Sequence, residues 1–343
     1  MATVYEIEHR FADVWIARDD DNTFDYYYGG TRMVSPSTEN AVVRDTLDRL
    51  MLYESSLKNH LINMALRQGI LDNYGERLPN GFLTSAVGGA RCIIRPRDVK
   101  TAAALSTTDN SGFYPTISAI FETIGELLNR EHGKIKLTPD FGRFAGLADI
   151  LFEYTPHVLG IRCEIGGCGG KSSYSTTGIL SALEVIEIHR YRESPVTLIG
   201  SAGAMGSDVL KYFLQEGYKN LAICDLVYDN QEYDMKFPQA VLKLRSKRKL
   251  FTDECLTRGG VIVATTVGQE LENSNWQLIP ERSILVLAHN LAIPAGERGI
   301  TLMQNIASRN VQALPGQILT LGGALTSRLE WFWRQSKGQV QFD

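Results

Sequence analysis

Cysteine is scarce in this chain and carries no pattern. The five residues, at 92, 163, 168, 224 and 255, include no CxxC, and no His or Cys pair completes a zinc set around Cys163 and Cys168. They read as small core residues or free thiols, which suits a reducing cytoplasm, and no metal is expected. Long apolar runs are missing too. Nothing approaches the roughly 18 residues that a membrane span needs. The opening segment carries Glu6 and Glu8 and has no apolar signal core, so a cytoplasmic location is expected. Charge of one sign is not in surplus. With 35 basic and 39 acidic residues the net charge is −4, which offers no general attraction to nucleic acid or anionic membrane. Internal repeats and low-complexity stretches are absent.

What remains is ordinary globular composition, 343 residues with 44% hydrophobic and 22% charged, long enough for two domains. Residues 3–17 are rich in β-branched and aromatic types, as strands are, and a polar turn at 19–22 leads to Phe24–Tyr28 and Gly29-Gly30. A helical pattern covers 38–52 and a second helix follows to about Gly69; residues 70–81 read as loop, and Cys92-Ile93-Ile94 as a short strand. Pro115 opens an amphipathic helix whose apolar positions, Ile117, Ile120, Phe121, Ile124, Leu127 and Leu128, recur at helical spacing. A Gly/Ser/Thr loop at 165–178 approaches the domain boundary, and a long helix is expected over 177–191.

From Val196 the rhythm becomes strand, glycine-rich turn, helix, strand, the βαβ pattern of a parallel sheet. Val196–Ile199 is a buried-type strand. Gly200, Ser201, Ala202, Gly203, Ala204, Met205 and Gly206 form the turn and the helix start, and Leu221–Cys224 is the next strand, closed by Asp225 and Leu226. Glycines let the backbone approach a pyrophosphate, and the helix N-terminus offers free N–H groups and positive dipole to it. Asp225, 19 residues beyond Gly206, stands where a carboxylate accepts hydrogen bonds from ribose hydroxyls and repels a 2′-phosphate, so NAD is the expected cofactor. The bland alternative is a βαβ unit whose glycine-rich turn holds nothing. The basic run Lys243, Arg245, Lys247, Arg248 and Lys249 reads either as a solvated face or as contact with a nucleotide phosphate. Further strands are expected at Gly260–Thr265 and Ser283–Ala288, and a final helix from Gly323 to Trp333.

The order of short motifs resembles the amino acid dehydrogenases of the glutamate, leucine, phenylalanine, valine and tryptophan type. Gly29-Gly30-Thr31-Arg32-Met33 is similar to their GGARM, and Val87–Ile94 (VGGARCII) to their GGGK strand. Thr138-Pro139-Asp140-Phe141-Gly142 looks like their catalytic-aspartate segment, followed by Leu147-Ala148-Asp149. Ser172–Ile179 resembles SPATAYGV, Ala264–Gly268 a nicotinamide-side loop, Ala288-His289-Asn290 their ANN turn, and Leu314–Gly323 their APDFxxNAGG. The resemblance implies an α/β protein with an N-terminal mixed-sheet catalytic and oligomerisation domain, residues 1–176, and a Rossmann NAD-binding domain, residues 177–322. The C-terminal helix, about 323–343, would return to the first domain, and substrate would sit in the cleft. It implies a homodimer or larger homo-oligomer, with Trp331, Phe332 and Trp333 packing near the domain junction.

By the same resemblance Asp140 would carry protons, and Gly29, Gly30, Met33 and Lys58 would lie at the substrate. Ser175, Thr265, Thr266, Val267, Ala288, His289 and Asn290 would join the glycine-rich turn in holding NAD. The pattern breaks at the family's two lysines, which stand about twelve residues apart. The position of the second is Arg91, and twelve residues before it is Pro79; Lys58-Asn59 matches the first lysine's motif only across an insertion. Arginine keeps a positive charge but cannot give up its proton. Arg91 is therefore a candidate carboxylate ligand, and proton transfer falls to Asp140, to Lys171, to His289 or to water. Arg91, Arg95 and Arg97 alternate along one strand face and could meet a second acidic group. Three functions are compatible with these residues: an NAD-dependent oxidoreductase of an amino, imino or 2-oxo acid, a non-redox condensation or elimination on a similar acid, and NAD binding without turnover.

Overall fold

A polar hairpin at His9–Ala12 splits the first β-rich segment into two strands, β1 (Ala2–Glu8) and β2 (Ala12–Asp19), paired antiparallel. In the computed structural model, residues 2–141, 146–229, 241–244, 251–266, 271 and 275–342 are described. β3 (Tyr26–Met33), β4 (Val87–Pro96) and β5 (Ile135–Thr138) complete a five-stranded mixed sheet of order β1-β2-β4-β3-β5. β4 lies at the centre, antiparallel to β2 and parallel to β3. Alternation along the strands sends Val14, Ile16, Cys92, Ile94, Ile135 and Leu137 into one core with the helix Phe113–Arg130. That helix starts two residues ahead of Pro115 and buries the apolar stripe expected of it.

The other face of β4 is covered by a single helical run rather than two separate helices. Asn40–Leu50 passes through a π-helical turn, Met51–Ser56, into Leu57–Arg67. A π turn slips the helical register and often marks a functional position. Two buried asparagines tie the run to strand backbone. The Asn59 amide donates to the Tyr28 and Gly88 carbonyls at 3.0 and 3.1 Å, and Asn63 both donates to and accepts from Val87. Buried Arg328 of the final helix, Leu321–Lys337, donates to Asn63 at 2.7 Å and to the Phe82 carbonyl at 2.9 Å. In the same helix Trp331 lies 3.6 Å from the ammonium of buried Lys136, and Phe332 packs on Tyr26 and Phe82. Trp333 instead meets Phe342.

Contacts divide the chain into two units, residues 1–171 with 324–343, and residues 172–323. In the second unit β6 (Val196–Ile199), β7 (Leu221–Cys224), β8 (Val241–Leu244), β9 (Val261–Ala264), β10 (Ile284–Leu287) and β11 (Gln312–Pro315) form a wholly parallel sheet of order β11-β10-β9-β6-β7-β8. β6, β7, β9 and β10 are buried throughout, as strands covered on both faces must be, and a hydrophobic cluster lies on each side. This is the strand order of a dinucleotide-binding sheet, with its switch point between β6 and β9. The helix expected over 177–191 begins earlier, at Ser172, and ends at Val185. Ser172 and Ser173, read as loop, form its first turn, where serine is favoured near a helix start. The five cysteines form no disulfide with one another; Cys163 is half-buried and the rest are buried. No helix among the described residues is long and apolar enough to cross a membrane.

Candidate functional site

The second unit offers a site made mostly of backbone. Gly200 leaves β6 at a φ of +84°, which glycine tolerates and L side chains resist. The chain then enters the helix Ala204–Gln215, whose N-cap Gly203 supplies no side-chain cap. A Cβ on Gly206 would strike the Gly200 carbonyl and stand 2.7 Å from Thr265 Oγ1, so only glycine allows the helix this close to β6. A Cβ on Gly203 would meet nothing nearer than the Gly200 carbonyl at 3.5 Å, an ordinary contact, and Gly203 itself is exposed. Thr265 Oγ1 donates to the Gly200 carbonyl at 3.0 Å. Asp225 accepts from the Ala202 N–H at 3.0 Å and the Val227 N–H at 3.2 Å, so it braces the glycine-rich turn from the end of β7. An uncapped N-terminus of a twelve-residue helix, an exposed glycine and a braced carboxylate at the next strand end fit a dinucleotide.

The other residues expected to hold the cofactor differ in exposure. Ala202, Gly203, Ala204, Met205 and Leu226 form the accessible edge of the turn, and Ser175 is half-buried in the first turn of its helix. Ser201 is fully buried and its hydroxyl lies 2.7 Å from the Tyr228 hydroxyl, so it offers a ligand only backbone. His289 is 3% exposed. Its Nδ1 faces the Ala264 carbonyl at 3.4 Å, which can only accept, so Nε2 accepts from Thr266 at 3.3 Å. The histidine thus links the ends of β9 and β10, and Ala288 beside it is buried. Asn290 is half-buried. Val267 lies outside the described residues, as do Arg245, Lys247, Arg248 and Lys249 of the basic run; Lys243 Nζ sits 5.5 Å from the centre of the Tyr228 ring.

The first unit gathers side chains from distant segments onto the face of the sheet that carries the π turn. Asp140, just past β5, accepts the Thr31 N–H at 3.0 Å and lies 3.7 Å from Lys171 Nζ. Its carboxylate lies over Gly30, where a Cβ would stand 2.7 Å from Asp140 Oδ1 and 3.0 Å from Arg91 Nη1. Burial opposes ionisation of Asp140, but Lys171, Arg91 and the Thr31 N–H outweigh it and hold the carboxyl below its ordinary range. The side chain still shows 42% of its surface to solvent, so this carboxylate is charged and reachable.

Lys171 donates to the Tyr28 hydroxyl at 3.2 Å, and Thr138 Oγ1 lies 3.4 Å from the same oxygen. Burial works against the charge of Lys171, but Tyr28 and Asp140 override it and raise its pKa. Lys58, in the helix after the π turn, goes the other way. Burial is the main cause and Arg91 and Lys171 add to it, so that against the pull of Glu54 and Asp140 the ammonium is brought down to about 8. The two lysines therefore differ in direction: the surroundings of Lys171 favour its charge, and those of Lys58 weaken its hold on the proton.

Sequence reasoning places Arg91, Asp140, Lys171, Lys58, Gly29 and Gly30 at the site, and the fold brings them together. Met33 does not join them and packs on the hydrophobic core. Arg91 is 5% exposed, and its Nη1 donates to Glu54 at 3.0 Å, so a neighbour already takes part of its fork. Arg95 and Arg97 are engaged with Asp13, Arg95 also with Asn40 and the Thr38 carbonyl, and neither belongs to this cluster. Glu54 is not singled out by sequence reasoning, Arg32 enters it only as part of the Gly29–Met33 motif, and Tyr28 only as one of three adjacent tyrosines. Glu54 had a usable signal, standing four residues before Lys58 on a helical pattern. Tyr28 immediately precedes the glycine pair, but nothing local distinguishes it from its two neighbouring tyrosines.

Among solved structures, a hetero-hexameric glutamate dehydrogenase from Thermus thermophilus superposes with a TM-score of 0.63 at 15% identity, covering 100% of this chain and 77% of that one. Plasmodium falciparum glutamate dehydrogenase 2 gives 0.61 at 13%, covering 100% and 74%. The L-tryptophan dehydrogenase from Nostoc punctiforme gives 0.55 at 12%, covering 97% and 87%. No protein-family model matches the chain, and no curated protein matches its sequence. The chain has the fold of the amino acid dehydrogenases, at sequence identities that carry the fold alone.

Proposed function

We propose that this protein is an oxidoreductase that moves a hydride between NAD(H) and an amino acid, imino acid or related 2-oxo acid. The observation that carries this reading is the ionised, solvent-reachable Asp140 held between Lys171 and Arg91 over a glycine floor, in a chain whose other unit has a dinucleotide-binding strand order. Bound NAD would supply the hydride acceptor. The uncapped helix at Ala204 would hold its pyrophosphate, and Asp225 its ribose hydroxyls. Asp225 favours NAD over a cofactor carrying a 2′-phosphate, because like charges repel.

In the first unit Asp140 would receive the substrate amine and orient it by charge-assisted hydrogen bonds. Loss of hydride from the carbon of the neutral amine leaves an iminium ion; water adds to it and gives up a proton, and ammonia departs to leave the 2-oxo acid. Lys58, with its proton affinity near the working pH, is the group suited to take that proton. Lys171 stays charged and stabilises negative charge that develops on oxygen. The work of one lysine would thus be shared between two, with Arg91 kept as structural charge. Assembly as a homodimer or larger homo-oligomer through the first unit is part of the proposal, and light scattering at micromolar concentration checks it.

A second reading, condensation or elimination without net redox change, is favoured by one feature: the group at position 91 cannot release a proton and is bonded to Glu54. Absorbance at the NADH wavelength across a panel of amino acids with NAD, and of 2-oxo acids with ammonium and NADH, decides between them. Substrate-dependent change supports the oxidoreductase. Unchanged absorbance with NADH bound, seen as enhanced nicotinamide fluorescence, removes the oxidoreductase and leaves the second reading or NAD binding without turnover.

A further inference from the structure

We propose that Arg32 is the receptor for the substrate carboxylate, and that Glu54 is a positioning residue that keeps Arg91 out of that role. The proposal rests on the reading of this site as one for a 2-amino or 2-oxo acid. The arginines around it are otherwise spoken for. Arg91 is bonded to Glu54, Arg95 to Asp13 and Asn40, and Arg97 to Asp13. Lys171 is held by Tyr28 and Asp140. Among the described residues the Arg32 side chain makes no hydrogen bond and no ion pair, although it is half-buried and within electrostatic reach of Arg91, Glu54 and Asp140.

A half-buried guanidinium with no side-chain partner is open to an arriving anion. Burial and the like charge of Arg91 both work against its protonated form, yet arginine remains charged at any working pH. An arriving carboxylate would relieve both. Its two oxygens match the planar guanidinium fork with paired, charge-assisted bonds, a geometry that a lysine cannot reproduce.

Placement gives the same answer. Arg32 and Gly30 are two residues apart in β3, so they share a sheet face and stand about 6.6 Å apart along the strand. Asp140 lies over Gly30. A 2-amino acid whose carboxylate meets Arg32 has its amine-bearing carbon one bond away, directed along the strand toward Asp140. Glu54 fits this arrangement because it occupies Arg91, the nearest competing fork, and leaves Arg91 as a fixed positive charge beside Asp140.

The test uses pyruvate, the smallest 2-oxo acid with a carbon side chain, in calorimetric titrations of the intact protein with and without NADH. Wild type, Arg32→Gln and Arg32→Lys are compared. Arg32→Gln is expected to weaken pyruvate at least tenfold, with Arg32→Lys between it and wild type, and NADH affinity unchanged in all three. Glu54→Gln frees Arg91 and is expected to move the pH profile of pyruvate binding while leaving NADH affinity alone. Equal pyruvate affinity in wild type and Arg32→Gln overturns the assignment, as does a wild type that binds no pyruvate. Failure of the underlying reading looks different: pyruvate bound through Arg32 without hydride transfer to any 2-oxo acid removes the oxidoreductase and leaves the receptor. Hydride transfer with a KM unchanged in Arg32→Gln does the reverse.

Discussion

The two units build their sites from different materials. In the second, the working parts are main-chain N–H groups, glycines and one carboxylate, all within about thirty consecutive residues from Val196 to Leu226. In the first, they are side chains drawn from residues 28, 32, 54, 58, 91, 140 and 171, brought together by a mixed sheet and a helical run. A backbone site tolerates drift in side chains as long as glycines stay where space is short. A side-chain site can exchange one cation for another and redistribute the chemistry, as Arg91, Lys58 and Lys171 illustrate.

The sharpest break in that contrast is Asp140→Asn. It keeps the shape at the first site and removes the charge, so turnover should fall by roughly 10²-fold or more while NAD(H) affinity stays constant. Steady-state rates beside a fluorescence titration check it; equal loss of both would mean that the sites are not separable. Next is the glycine pair in the turn. Gly206→Ala forces a methyl against the Gly200 carbonyl and should lower stability by about 1–3 kcal/mol. Gly203→Ala makes only an ordinary contact with the Gly200 carbonyl at 3.5 Å, so melting should be unchanged while dinucleotide affinity falls. Equal melting of the two variants would remove the steric argument.

Lys58→Arg then tests how the first site divides its proton work. Oxidative turnover in wild type should rise through about pH 8 as Lys58 gives up its proton, and the variant, unable to do so, should be flat across that range and slower by roughly 10–10²-fold at pH 8. A variant with the wild-type profile would move the proton step to another group. Asp225→Ala comes after it: NAD(H) should weaken roughly tenfold, the loss of about one charged hydrogen bond, and NADP(H) less.

The smallest effect concerns Lys136, buried under Trp331. Burial, helped by Arg334, brings its ammonium from 10.5 to about 7. The unfolded chain therefore binds more protons than the folded one between those values, and stability should rise with pH across that window. Lys136→Met should raise the melting temperature by a few degrees at pH 7, by removing a poorly solvated cation, and abolish most of the rise between pH 7 and 9. Melts of both proteins at the two pH values check this.

Legibility follows the same division. The strands Val196–Ile199 and Leu221–Cys224, the glycine-rich turn and Asp225 were readable because each is a run of neighbouring residues with one spacing. The helical run at 40–67 was read as two helices, since the π turn slips the apolar period where Glu54 sits. His289 was readable as a polar residue near a cofactor loop, but its burial between Thr266 and the Ala264 carbonyl depends on two strands that pair across the sheet.

Periodicity and glycine spacing by themselves determined the parallel sheet and its turn, because those signals arise from local backbone geometry. They also supplied Asp140, Lys58, Arg91 and Lys171 as separate candidates. Only the tertiary structure decided what each of these is. Glu54 holds Arg91, Tyr28 and Asp140 hold Lys171, burial loosens the proton of Lys58, and among the described residues the Arg32 side chain is left without a partner. The charge state and availability of a side chain depend on its neighbours in space, and those neighbours come from strands and helices up to 143 residues away along the chain.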